Sequence, residues 1–206
     1  EHPFKMRFAK WTVTHFHKRA LSSPKALVVS LKNRLRRINK GLTKDEEIGE
    51  DETAVTEEEA RAEVLDNDTG ERATEEEVSA RMERIIPQER IILESEKQLL
   101  EKTLNEAEKI GPERDRKLRS LLDNTLRVMY RRKPKVIIFS KYKDTVDYLA
   151  QQIPMHRNYR DAKIVTLNGD LNESQRKERF HEFEVAPEAV MVATDCISEG
   201  INLQYV

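Results

Sequence analysis

Apolar positions recur with two different periods along this 206-residue chain, and the change falls near Pro134. Before that point the spacing is helical. In HKRALSSPKALVVSLKNRLRRINK, Leu27, Leu31 and Leu35 stand at i, i+4 and i+8, with Ser23 as cap and Pro24 in the first turn, where a missing N–H costs nothing. A second helix is expected from Pro87 to about Ile110, with Ile92, Leu99, Leu100, Leu104, Ala107 and Ile110 close to one stripe, and Gly111–Pro112 stops it. A third, within ERDRKLRSLLDNTLRVMYRR, carries Leu118, Leu121, Leu122, Leu126 and Met129 on its apolar side. These are core-packing helices, since a coiled coil needs more sustained heptads.

After Pro134 the pattern becomes short, continuous apolar runs: Val136 to Phe139, Ile164 to Leu167 and Val190 to Ala193. Runs of this kind separated by helical segments predict parallel strands covered on both faces. In the first crossover helix, DTVDYLAQQI, Val146, Leu149, Ala150 and Ile153 share a face. The second, NESQRKERFHEF, starts at Asn172 with Gln175 three residues on, a capping-box variant, and buries Phe180 and Phe183. The fold class expected is α/β: a parallel sheet flanked by helices, preceded by a mainly helical region.

Charge adds a division that periodicity does not show. Charged residues make up 36% and apolar ones 37% of the chain, against about 25% and about 45–50% in globular domains. Residues 1–40 hold 11 Lys/Arg and one acid; residues 41–84 hold 5 Lys/Arg and 17 Asp/Glu. The acidic block has no aromatic residue and too little apolar surface to offset chain entropy, so roughly 43–78 is expected to be mobile. It is either a solvated insertion or a shield between the basic segment and nucleic acid. The basic segment is an amphipathic helix with a cationic outer face, which serves either solvation or salt-dependent phosphate binding. Four regions follow: 1–42 basic and helical, 43–84 an acidic, largely disordered insertion, 85–132 helical, and 133–206 the sheet-bearing lobe.

Several chemistries are excluded or disfavoured. No apolar run approaches the ~18 residues of a membrane span, and EHPFKMRFAK is no secretory leader, so a soluble protein is expected. The single cysteine, Cys196, precludes an internal disulfide and a multi-thiolate metal site; it has no His close in sequence and reads as a packing residue. His15 and His17, flanking Phe16 near Trp11, are expected as ordinary histidines rather than metal ligands. No G-x-x-x-x-G-K-[ST], no G-x-G-x-x-G and no acidic D-E-x-H-like box is present, so this segment does not by itself cradle a triphosphate or hold its magnesium. What remains is the carboxyl ends of the strands, where ligands gather in parallel sheets: Ser140 and Lys141; Asn168, Gly169 and Asp170; Thr194 and Asp195. Small polar residues and glycines there suit phosphate oxygens, and equally suit helix capping and turns.

In their order and spacing, KVIIFSKYKDTVDYLA, IVTLNGDLNESQRKERFHEF and VMVATDCISEGINLQ resemble the second RecA-like lobe of superfamily-two helicases and translocases, over roughly residues 115–206. The first is similar to motif four, the second to the segment after it, the third to motif five. KRALSSPKAL, an insertion and then DRKLRSLLDNTL resemble the helical region between the lobes of Swi/Snf-type ATPases, particularly the prokaryotic branch that includes the RNA-polymerase-associated ATPase. The lobe would be incomplete, RecA-like, and cut from a longer chain, since the sequence begins with Glu.

The resemblance implies that Ser140, Gly169 and Thr194, with Lys141 beside them, lie along a nucleic-acid backbone, gripped through phosphates rather than bases. It implies that Glu199, Gly200 and Asn202 approach a nucleotide in the cleft between lobes. Asn202 stands where related helicases have an Asp near the ribose, Glu199 where many have Arg, and Asp195 orders the motif-five loop. ATP and Mg2+ are implied in the intact protein, with none bound to this segment alone and no catalytic residue or metal site within it. The arginine-rich sixth motif and the first lobe are missing, so the segment is expected to be catalytically silent. In the intact protein, ATP-driven opening and closing of two lobes would move nucleic acid, most simply duplex DNA. The location implied is cytoplasmic, nucleoid-associated in a prokaryote, with any homo-oligomer an artefact of truncation through the open sheet edge. The alternative is a non-catalytic protein-interaction module on a helicase-like scaffold. A self-contained phosphate-binding enzyme is disfavoured, since no nucleophile or acid–base pair is visible.

Overall fold

The computed structural model describes residues 2–43 and 90–195. The expectation of a mobile acidic stretch falls outside the described residues except for Thr43, the last residue of a helix, and the expected helix start at Pro87 and the motif-five residues beyond Asp195 also fall outside. The chain divides into two units, one of residues 1–20 with 27–109 and one of residues 21–26 with 110–206.

Three helices supply the first unit: α1 (His2–Ser22), α2 (Pro24–Thr43) and α3 (Arg90–Glu108). Its core is Leu31, Leu35, Ile38, Leu100 and Ala107, with Leu27 and Leu104 partly buried against them. The α2 stripe is thus the one expected, extended by Ile38. On α3 the expected stripe is too wide: Leu99 is 65% exposed and Ile110 is also exposed. Leu100, Leu104 and Ala107 define the buried line, Leu99 stands about 100° off it, and Ile110 lies past the helix end. The cationic outer face expected of α2 is present, with Lys32, Arg36 and Lys40 exposed, but Arg34 is not part of it and is buried. Its Nε donates to Glu96 Oε1 at 2.7 Å and its Nη2 to Glu96 Oε2 at 3.0 Å, a bidentate tie from α2 to α3. Arg19 is buried as well.

The second unit contains the α1–α2 junction and the sheet. Ser23 Oγ accepts from the Ala26 N–H at 3.1 Å, the expected cap ahead of Pro24. Thr145 Oγ1 lies 2.7 Å from Ser22 Oγ and 2.8 Å from Ser23 Oγ, while Lys117 Nζ donates to the carbonyls of Leu21 and Ser22. The third expected helix is α4 (Arg116–Ser120), a π-helical turn (Leu121–Thr125) and α5 (Leu126–Arg132). Leu118, Leu122 and Leu126 are buried, but Met129 is 54% exposed and Tyr130 packs instead. Four-residue steps overshoot an α-helical turn; the wider i→i+5 turn absorbs the excess and moves the buried line from position 129 to 130.

The sheet has three parallel strands, β1 (Lys135–Ser140), β2 (Lys163–Leu167) and β3 (Ala189–Thr194), in the order β1-β3-β2. Helix α6 (Lys143–Gln152), followed by a 3-10 turn (Ile153–Met155), carries the first crossover, and α7 (Glu173–Val185) carries the second. Val136, Val190 and Val192 face α4, α5 and α6 with Val146, Leu149, Ile153 and Tyr159; Val165, Leu167, Met191 and Ala193 face the opposite side with Phe183. The two crossovers run in opposite directions on opposite faces, so they share one hand, as expected of parallel crossovers. Central β3 is buried at all six positions. Phe139 departs from the expectation of strands covered on both sides: it is 43% exposed, because α7 packs over β2 and β3 and leaves that face of edge strand β1 open. Phe180 is only partly buried. The architecture is a parallel sheet flanked by helices, that of a RecA-like lobe, preceded by a helical region.

Candidate nucleic-acid interface

All three strands run the same way, so their carboxyl ends meet on one edge. The register sets Ser140 opposite Thr194 and Leu167 opposite Ala193, which puts Asn168 one step further, beside the tip of β3. With strands about 4.8 Å apart, the three tips lie within roughly 10 Å. The edge therefore gathers Ser140 and Lys141 on one flank, Asn168, Gly169 and Asp170 on the other, and Thr194 with Asp195 between.

The side chains at this edge differ in access. Lys141, Gly169, Asp170 and Asp195 are exposed and Ser140 is partly so, whereas Thr194 is 3% exposed and stands behind the surface. Asn168 folds the loop by accepting from the Asp170 N–H at 3.1 Å, and Arg176 Nη2 donates to the Gly169 carbonyl at 3.2 Å. Lys143, the first residue of α6, pairs with Asp170. Because α6 follows β1 and Asp170 follows β2, that pair spans the end of central β3. Lys143 and Arg176 were not singled out from the sequence. The available signal was the second lysine of KYK, placed at the helix start, and an arginine one residue past Gln175.

The helix starts are not equivalent phosphate cradles. At α7 the Asn172 side chain accepts from the Gln175 N–H at 2.9 Å and the Gln175 side chain accepts from the Asn172 N–H at 3.0 Å, so the capping box uses its own donors. Glu173 adds a negative charge there, and the hydrogen bond from Lys177 holds its carboxyl below the ordinary range. Two of the N–H groups expected to be offered at that strand end are therefore taken, and the polar groups that reach the surface of this edge include Lys141, the Gly169 backbone and, in part, Ser140.

Glu199, Gly200 and Asn202, expected along a nucleotide cleft, lie outside the described residues, as does Cys196. Among the described residues no group of three His, Cys, Asp or Glu is placed to hold a metal ion, and no helix is long and apolar enough to cross a membrane.

A parallel sheet with its polar loops on one edge is the arrangement that the three sequence motifs imply, and comparison with known proteins bears on it directly. Residues 115–206 match the helicase conserved C-terminal domain. The matched stretch thus begins at Asp115, the cap of α4, and takes in the whole sheet. The chain is similar to the ATP-dependent RNA helicase eIF4A of Schizosaccharomyces pombe, 29% identical over 72 residues, 35% of this chain and 17% of that protein. It is 31% identical over 72 residues to the ATP-dependent RNA helicase DBP3 of Candida glabrata, 35% of this chain and 13% of the relative. It is 29% identical over 70 residues to the DEAD-box ATP-dependent RNA helicase 35B of Oryza sativa subsp. japonica, 34% of this chain and 11% of the relative. The chain therefore spans 17% or less of the length of these curated relatives. No solved structure is a significant match.

Proposed function

We propose that this chain is part of an ATP-dependent helicase or translocase, contributing backbone contacts from the C-terminal edge of its sheet. The observation that carries the reading is the convergence of Ser140, Lys141 and Gly169 on one edge around the tip of β3. Lys141 supplies the charge, the Ser140 hydroxyl and Gly169 backbone supply close polar contact, and the buried Thr194 supports the edge. Such contacts address phosphates and leave base identity unread. ATP and Mg2+ belong to the intact protein; Glu199, Gly200 and Asn202 are the residues proposed for this lobe's share of the cleft. Bound ATP would favour the closed arrangement of the lobes, and its hydrolysis would remove that preference.

Our preferred substrate is duplex DNA, in a Swi/Snf-type translocase. Support comes from the sequence KRALSSPKAL before the insertion and DRKLRSLLDNTL after it, and from the helices that flank them. RNA is the second reading, favoured by the names of the relatives, whose similarity covers about a third of this chain.

Binding of this chain to labelled duplex DNA and to single-stranded RNA of equal length, at stepped salt, tests both. Duplex binding is expected to weaken with salt, and Lys141→Ala to flatten the salt slope by about one, the effect of a single phosphate contact. Preference for the RNA would establish the second reading, and failure to bind either would overturn both. ATP turnover by this chain alone would contradict its assignment as part of a two-lobe motor.

A further inference from the structure

We propose that the row Lys32, Arg36 and Lys40 on α2 is a second docking surface, for the phosphate backbone of a nucleic-acid duplex; the inference rests on the nucleic-acid reading above but not on the strand-tip edge. The three residues stand at i, i+4 and i+8 and are exposed, while Leu31, Leu35 and Ile38 turn the other side of the helix into the core. The row is thus held outward by packing, not by chance of side-chain flexibility.

Its charge pattern separates docking from plain solvation. Residues 2–43 contain 11 Lys/Arg and no Asp or Glu. A helix that needs only solubility mixes signs, as α3 does, where Lys97 and Glu101 form an i,i+4 pair. Within the row Lys32, Arg36 and Lys40 the i+4 neighbours are cations, and each such like-charged pair opposes the helix, by at most about 0.2–0.5 kcal/mol where no counterion offsets it. A polyanion laid along the row removes that repulsion. Lys32 does bond Glu108 at 2.7 Å, but both side chains are about half exposed, so the pair is one that a phosphate can displace.

Geometry and composition select the duplex. The row covers about 12 Å of a straight helix at 1.5 Å per residue, a rigid line of charge. Helix α2 has no aromatic residue, so it lacks the stacking platform by which proteins hold single strands. Binding would be through the backbone and indifferent to sequence.

The test is anisotropy of a labelled duplex at stepped salt with three proteins: the unaltered chain, the triple variant Lys32→Gln, Arg36→Gln, Lys40→Gln, and Lys141→Ala. The triple variant is expected to flatten the slope of log affinity against log salt by about two to three, near 0.9 per phosphate lost, with helix content unchanged by circular dichroism. A charge-retaining variant, Lys32→Arg, Arg36→Lys, Lys40→Arg, is expected to bind like the unaltered chain, and its failure would assign the effect to folding and overturn the proposal. An unchanged slope in the triple variant, with binding weakened by Lys141→Ala, would overturn this surface and leave the strand-tip edge standing. No binding by the unaltered chain would remove both, and equal dependence for a single strand of the same length would remove the duplex assignment.

Discussion

Lys143 at the start of α6 and Asp170 in the loop after β2 form an ion pair above the buried end of β3. The pair does two opposing things. It fixes the distance between the flanks of the candidate interface, and it sets a carboxylate where a phosphate would otherwise be attracted. Both partners are well exposed, so the stabilisation is about 0–1 kcal/mol. Asp170→Asn is therefore expected to leave the melting temperature nearly unchanged and to tighten nucleic-acid binding about two- to fivefold, since Lys143 loses an internal counterion while a repulsive charge disappears. Weaker binding in this variant would show that Asp170 holds Lys143 in its working position instead.

The capping box of α7 gives a sharper stability test. Asn172→Ala removes the acceptor of the Gln175 N–H and is expected to cost about 1 kcal/mol, a fall of a few degrees in the melting temperature. Asn172→Asp keeps the acceptor and should stay close to the unaltered chain. A loss as large in Asn172→Asp would mean that the loop, rather than the cap, sets the stability of this region.

Arg34 and Glu96 test the first unit in the same way. Arg34 is 2% exposed, and its guanidinium donates to both oxygens of the Glu96 carboxylate in a matched fork. Glu96→Ala deletes two charge-assisted hydrogen bonds of a buried cation and is expected to cost about 2 kcal/mol. Arg34→Lys is not conservative here, since an ammonium cannot reproduce the fork, and should also destabilise. Denaturant unfolding reads both, and a loss confined to a few tenths of a kcal/mol would reduce the fork to an ornament of packing.

Much of the fold was legible because its signals are local. Continuous apolar runs predicted all three strands to within a residue at each end, and Ser23 and Asn172 predicted two helix starts, each confirmed by its hydrogen bond. What could not be seen depends on partners distant in the chain. Leu99 and Leu100 are alike as residues, and only the position of α2 makes one core and the other surface. Met129 yields to Tyr130 because a π-helical turn shifts the face, and periodicity assumes that no such turn intervenes. Phe139 stays exposed because strand order, unknown from sequence, leaves β1 at an edge. The candidate interface shows the same division. Ser140, Lys141 and Gly169 follow from the rule that ligands meet strand ends, whereas Lys143 appears only when the fold brings it to Asp170.

Three tyrosines make the stability of the second unit sensitive to alkali. Tyr148 Oη donates to Asp115 Oδ2 at 3.1 Å, Tyr130 Oη to Glu188 Oε2 at 2.8 Å, and Tyr159 Oη to the Leu122 carbonyl at 2.6 Å. Burial is the main cause that raises each phenol above its ordinary 10.0, and neighbouring carboxylates add to it: Asp115 at Tyr148, Glu188 at Tyr130 and Asp123 at Tyr159. A raised value in the folded chain means that the folded state keeps its protons longer than the unfolded one. The contribution to stability is thus fully present below pH 10 and falls as pH rises above it, when the unfolded phenols ionise first. Tyrosinate absorbance should show Tyr130, Tyr148 and Tyr159 titrating late, together with unfolding. Tyr148→Phe is expected to lose the bond to Asp115, lowering stability near neutrality, and to make the alkaline decline shallower because one linked group has been removed. Titration of these three tyrosines near pH 10 without unfolding would refute the assignment, since desolvated, hydrogen-bonded phenols do not ionise as free ones do.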